Sequence, residues 1–348
     1  MSSVILPKKQ VLSTDMPTKT IFISCMQTIG ILLVVLGHSF YLHGDHPLCM
    51  WIYSFHMPLF FFISGFLFAQ SLLKRGMEIQ EVSFWGRHGL FFSKFRRLLV
   101  PYLLISSLVY LPKVMLSFMA VRPVELSWSS YFSMLLYPYS NVIGSFWFLP
   151  TLYLVFVLFV CYGKYVGRNL LLFVPLLVWH LCSGISKETL LNLDGVCIYT
   201  LYFLIGYETR RRRWHEFLLP HCELTMVITF VLSWLLYALT DYYSYIYMNV
   251  FTSINGILLC LAVGFVYQKH QFHFLDHLFG SSYCIYIYSW FVQALLFQVF
   301  MRCFSLPLLP VALFSVVLGI YLPWCLYKWL HQGNKGLFKR FISLMSGD

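Results

Sequence analysis

Residues 21–42 read IFISCMQTIGILLVVLGHSFYL, a stretch without Asp, Glu, Lys or Arg and with one histidine, His38, toward its far end. A hydrocarbon core about 30 Å thick takes roughly 20 apolar residues of helix, so this stretch is long enough to cross a bilayer. The polar residues 1–20 before it lack an apolar signal core, and no small-residue cleavage site follows, so it reads as a retained anchor. Residues 48–72 have the same character. Eight further apolar segments follow at 98–118, 142–163, 169–184, 194–209, 218–239, 246–267, 278–301 and 306–330. The sequence therefore predicts an all-α fold, a polytopic transmembrane helix bundle of about ten spans.

Composition agrees. The chain of 348 residues is 59% hydrophobic and 11% charged, with a mean hydropathy of +0.74. A soluble domain carries about 25% charged residues, so too little polar surface is available to face water. Aromatic residues reach 20%, which suits a protein whose Trp and Tyr rings sit at two membrane interfaces. The net charge of +11 is not arranged as a basic stripe with interleaved aromatics, which argues against nucleic acid as a partner. The ten cysteines show no CxxC and no zinc-type Cys/His spacing, so neither a metal site nor a disulfide framework is expected.

The basic residues orient the spans. With the N-terminus in the cytoplasm and ten crossings, only Lys113, Arg122, Lys187 and Arg302 of the 24 Lys and Arg fall outside. That asymmetry is the positive-inside pattern and places both termini in the cytoplasm. The chain then divides into a polar cytoplasmic tail (1–20), one transmembrane domain (21–330) and a basic cytoplasmic tail (331–348). The basic loop 73–97 is expected to form in part an amphipathic interfacial helix.

Few residues in such a chain can carry chemistry. His38 lies seventeen residues after Ile21, about 25 Å along the helix, toward the outer side. An ionisable group inside a span is a functional candidate by default, and a neutral imidazole is the form a general base needs. The same residue also reads as an interfacial histidine held by backbone or headgroups. His56 lies in SFHMP (54–58) at the head of an aromatic run, where Pro58 fits a first helical turn. Ser64 and Gly65 read mainly as small packing residues. In SKFRRLLVPYLL (93–104), Lys94, Arg96 and Arg97 suit a phosphate or serve as headgroup-facing orientation charges. Arg210 to Arg213 carry the same two readings. Asp194 reads as a carboxylate that orients a histidine or as a dipole partner at a helix N-terminus. Trp147 and the aromatic cluster at 241–248 read as interface belts or, more sharply, as surfaces for stacking on a sugar.

Together and in order, the blocks GILLVVLGHS (30–39), SFHMPLFFFISGFLF (54–68), FRRLLVPYLL (95–104), SFWFLPTLYL (145–154), YFLIGYETRR (202–211) and FGSSYCIYIYSW (279–290) resemble the acyltransferase 3 family of integral membrane O-acyltransferases. The resemblance covers about residues 21–330. It implies a multi-pass protein of the bacterial inner membrane that moves acetyl, or sometimes succinyl, from acyl-CoA to a hydroxyl of a surface polysaccharide or lipid-linked sugar. By the resemblance His38 is the catalytic base and His56 the second histidine, with Arg96 and Arg97 associated with the donor. Lys94, Ser64 and Trp147 complete the expected substrate-binding set. Acetyl-CoA is a substrate here, so no bound cofactor is implied. The expected partners are acyl-CoA, the glycan acceptor and the bilayer, with homo-oligomer formation left open. The chain departs from the family pattern at three positions. Ser24 and Gln27 stand where the first span has an acidic residue and a Lys or Arg, and Ser289 stands at the late histidine. Two other readings stay open: a transporter or flippase for a lipid-linked sugar, with the histidines as binding or proton-relay groups, and a non-catalytic scaffold of glycan assembly.

Overall fold

A computed structural model describes residues 21–39, 47–86, 89–115, 117, 123–166, 173–182, 189–240, 245–300, 304, 307–332 and 336–346. The fold is all-α, with no strand among these residues. Twelve helices are described: α1 (Ile21–Gly37), α2 (Pro47–Arg75), α3 (Leu90–Met115), α4 (Trp128–Leu136), α5 (Phe148–Val166), α6 (Phe173–Cys182), α7 (Leu193–Arg211), α8 (Cys222–Thr240), α9 (Tyr245–Lys269), α10 (Ser282–Gln298), α11 (Leu308–His331) and α12 (Leu337–Met345).

Seven described helices are long and apolar enough to cross a membrane, namely α2, α3, α5, α7, α8, α9 and α11, and α1 and α10 are shorter apolar helices. Helix α6, within the expected fifth span, has 10 residues. The protein is thus a multi-pass membrane bundle.

Helix α2 occupies the centre and packs on α7, α9 and α1. In the most apolar window of α7 and of α9, 67% of residues are buried, against 17% in α8. The exposed side chains of α8 include Leu224, Val227, Ile228, Phe230, Val231 and Leu235. An apolar exterior around an equally apolar interior is what a lipid solvent requires, because lipid chains offer a helix no hydrophobic incentive to hide.

Close approach, rather than hydrophobicity, therefore organises the core. A Cβ on Gly65 would lie 1.9 Å from the carbonyl oxygen of Phe203, and one on Gly206 would lie 2.0 Å from that of Phe62. The two glycines let the backbones of α2 and α7 touch reciprocally. The packing role read for Gly65 is realised here.

Two expected local features differ. Pro58 lies inside α2, which begins at Pro47, rather than in a first turn. Proline has no N–H, so the carbonyl of Ser54 loses its intrahelical donor. Ser253 Oγ of α9 donates to that oxygen at 2.7 Å instead. The helical part of 73–97 lies not in residues 76–86, which make one 3-10 turn, Ile79–Glu81, but at its end, where α3 begins at Leu90. Gly76 and Gly86 take φ of 63° and 102°, in the left-handed region that ends helices. Glu81 accepts from the Glu78 N–H at 2.9 Å, and Ile79 is buried against Gly163 of α5. Helix α12 returns from the 331–348 segment to pack on α3 and α11, with Tyr288 and Ser346 hydroxyls 3.2 Å apart.

Candidate active site

A cavity of about 550 Å³ runs inside the bundle along α2. It is lined from Met57 to Arg75 of that helix, a rise of roughly 27 Å. One end carries Arg75, Lys94 and Arg97 with Ser83 and Ser93. The wall between is mostly apolar, from Phe60, Ile63, Leu67, Phe148, Leu152 and Phe156, with Gln27, Ser64, Ser71 and Tyr286 as polar interruptions. Val34 and Met57 lie at the other end.

The basic end is shaped by a proline four residues after Arg97. Pro101 cannot donate to the Arg97 carbonyl, and residues Phe95–Leu99 form a π turn in which Val100 N–H reaches Phe95 instead. Such bulges accumulate at functional sites. Tyr283 Oη of α10 donates to the freed Arg97 carbonyl at 2.8 Å, and the Arg97 guanidinium lies 5.9 Å from the centre of that tyrosine's ring. Lys94 Nζ sits 3.8 Å above the ring of Phe156. Among the described residues no carboxylate forms an ion pair with Arg75, Lys94 or Arg97. Three basic side chains without a carboxylate partner among the described residues thus gather at one end of the cavity. Arg210 to Arg213 differ: Arg211 and Arg212 pair with Glu208, Arg213 with Glu216, and Arg210 lies 5.9 Å from the Phe66 ring.

At the opposite end, α1 stops at Gly37 and leaves carbonyls needing donors. Gln293 Nε2 of α10 donates to the Val35 carbonyl at 3.0 Å, and Tyr53 Oη donates to the Gly37 carbonyl at 2.8 Å. These bonds fix the backbone that carries His38. The Tyr53 hydroxyl is also 3.3 Å from His38 Nδ1. His56 is buried, and its Nδ1 lies 2.9 Å from the Ile52 carbonyl. The Tyr53 ring lies between the two imidazoles, with centroids 5.7 Å from His38 and 5.1 Å from His56.

The structure thus brings His38 and His56 together around Tyr53, just beyond the cavity end formed by Val34 and Met57. Ser64, Lys94 and Arg97 line the cavity itself. Arg96 is exposed and does not line it. Trp147 is half-buried, and Tyr139 and Tyr199 both stack on its ring, at 5.0 Å and 5.4 Å. Its π surface is engaged within the protein. Sequence reading did not single out Tyr53, Tyr283, Gln293 or Arg75 as site residues. Two signals were available: Tyr53 precedes His56 by three residues, hence shares its helix face, and Pro101 announces a free carbonyl at Arg97.

These features define a multi-pass helical membrane protein with an internal cavity that is basic at one end and closed at the other by Val34 and Met57, beyond which His38 and His56 flank Tyr53. The chain belongs to the family described as an acyltransferase domain, whose match spans residues 20–328. Comparison with curated proteins and with solved structures returns no match.

Proposed function

We propose that the protein is an acyl-CoA-dependent O-acyltransferase that moves an acetyl group to a hydroxyl of a cell-surface polysaccharide or lipid-linked sugar in a bacterial inner membrane. The carrying observation is the cavity that runs from Arg75, Lys94 and Arg97 at one end to Val34 and Met57 at the other, next to the segments that carry His38 and His56. Its long and largely apolar course suits a linear thioester arm better than a compact sugar. The donor's phosphates dock at Arg75, Lys94 and Arg97, and the arm passes Ser64 and Gln27 toward Val34 and Met57. Gln27, uncharged, faces the same cavity where a further cation would add to donor binding.

A sugar hydroxyl is a weak nucleophile and needs a base within hydrogen-bond reach. His38 takes the hydroxyl proton as the oxygen attacks the thioester carbonyl. The C–O bond forms, the C–S bond breaks, and the departing thiolate recovers the proton from His38. His56, buried beside Tyr53, orients the reacting groups.

The test supplies radiolabelled acetyl-CoA to membranes containing the protein and measures label in glycan. Wild-type membranes should give a hydroxylamine-labile product, and His38→Ala should lower the rate by roughly 10²-fold or more. Full modification by the His38 variant sinks the mechanism. Sugar translocation without acylation would establish a transporter instead.

A further inference from the structure

The hydrogen bonds around the histidines assign their tautomers. Tyr53 Oη has one proton, and the Gly37 carbonyl, 2.8 Å away, can only accept it. Toward His38 Nδ1, at 3.3 Å, the hydroxyl then offers only lone pairs. A neutral His38 fits this contact with its proton on Nδ1, which leaves Nε2 bare. His56 obeys the same logic, because its Nδ1 faces the Ile52 carbonyl at 2.9 Å, an acceptor that demands a donor.

We propose that Tyr53 is a positioning residue that holds His38 in the Nδ1–H tautomer, so that Nε2 is the atom that receives the acceptor's proton. The hydroxyl O–H bond breaks and an Nε2–H bond forms while the ester C–O bond forms. The imidazolium so created keeps Nδ1–H on Tyr53, and Nε2–H passes to the thiolate as the C–S bond breaks. The tautomer assignment stands on hydrogen-bond geometry alone, whereas the kinetic consequence rests on the acyl-transfer reading. It also restricts His56. With its neutral proton on Nδ1, its Nε2 accepts hydrogen bonds and cannot donate to an oxyanion, so a hydroxyl bridging the pair has two acceptors and one proton to give.

The experiment is ¹⁵N NMR of histidine-labelled full-length protein in lipid nanodiscs, with His38 located among the twelve histidines by its loss in His38→Ala. Wild type should show His38 with a protonated Nδ1 and a bare Nε2. Tyr53→Phe keeps the ring and removes the hydroxyl, and should move His38 toward the Nε2–H form. A wild-type His38 carrying its proton on Nε2 overturns the assignment, and so does an unchanged tautomer in Tyr53→Phe. In acyl transfer, Tyr53→Phe should lower kcat by roughly a hundredfold with donor KM unchanged. An unchanged kcat in an enzyme that dies with His38→Ala refutes the role of Tyr53 and leaves the function intact. The expected spectra in a protein that transfers no acyl group refute the function and leave the tautomer assignment standing.

Discussion

Replacing Gly65 by alanine tests the reciprocal glycine contact at the centre of the bundle. The new methyl carbon would lie 1.9 Å from the Phe203 carbonyl oxygen, whereas a carbon meets such an oxygen comfortably at about 3.3 Å. Helices α2 and α7 must therefore part by roughly 1.4 Å at the crossing. No side chain can rotate aside, because the obstacle is helix backbone. Overpacking a core costs typically 1–3 kcal/mol, and a backbone obstacle puts Gly65→Ala at the top of that range, about 3 kcal/mol. Gly206→Ala meets Phe62 at 2.0 Å and should cost the same. Separation forced by one methyl also makes room for the other, so the double variant should cost clearly less than the sum of the singles. The buried thiols of Cys25, Cys260 and Cys284 provide the assay, as alkylation by a thiol reagent in detergent. At 1.4 kcal/mol per factor of ten, labelling through the opened state should rise roughly a hundredfold. Gly144→Ala, whose Cβ meets nothing within 4 Å, should leave labelling unchanged. A Gly65→Ala protein labelled at the wild-type rate, or strict additivity in the double variant, refutes the account. Because α2 carries Met57, Ile63, Ser64, Leu67 and Ser71 of the cavity wall, donor KM should rise in the same variants.

Three further outcomes follow from the site and its surroundings. Lys94→Gln and Arg97→Gln should each raise donor KM about tenfold with little change in kcat, measured by saturation with labelled acetyl-CoA; Arg96→Gln, outside the cavity, should not. Gly163→Ala places a Cβ 2.3 Å from Ile79 Cδ1, so it should unseat Ile79 and speed proteolysis within 76–86, and an unchanged cleavage rate refutes the role of Ile79 as the pin. His273, 2.8 Å from the Asp276 carboxylate, together with Tyr267, holds that carboxyl below its ordinary value of 3.8. A lowered folded value means stabilisation that is present above about 3.8 and is lost as pH falls through the lowered value. Amide protection in 270–279 should therefore persist at pH 4 and fade under stronger acid, while Asp276→Asn removes that pH dependence in hydrogen exchange.

The membrane class was legible because it depends on summed composition, and apolar segments such as 48–72 leave little alternative in water. His38 was legible because an ionisable group stands out against an apolar run. Helix bounds were less so: Pro58, read as a first-turn proline, lies well inside α2, since apolarity does not specify where helical hydrogen bonding begins. Arg96 and Arg97 look equivalent in sequence. One residue of helix, a rotation of about 100°, puts one on the cavity and the other outside it. Trp147 illustrates the same difficulty, because its availability depends on Tyr139 and Tyr199, and Tyr199 lies far along the chain. The role of Tyr53 depends on the end of α1, where Gly37 supplies a carbonyl that another helix must satisfy.

Pro58 and Pro101 each leave a helix one donor short, and the missing donor comes from a distant part of the chain, Ser253 for α2 and Tyr283 for α3. Inside a membrane bundle the Ser54 carbonyl has little water to turn to, and the Arg97 carbonyl, at the exposed end of the cavity, is held to Tyr283 in one register. Neither helix is therefore complete in isolation, and a one-residue slip against its neighbour leaves an oxygen bare. Each proline acts as a key cut for a single lock, so that the assembled register, rather than any one span, becomes the unit that the sequence specifies.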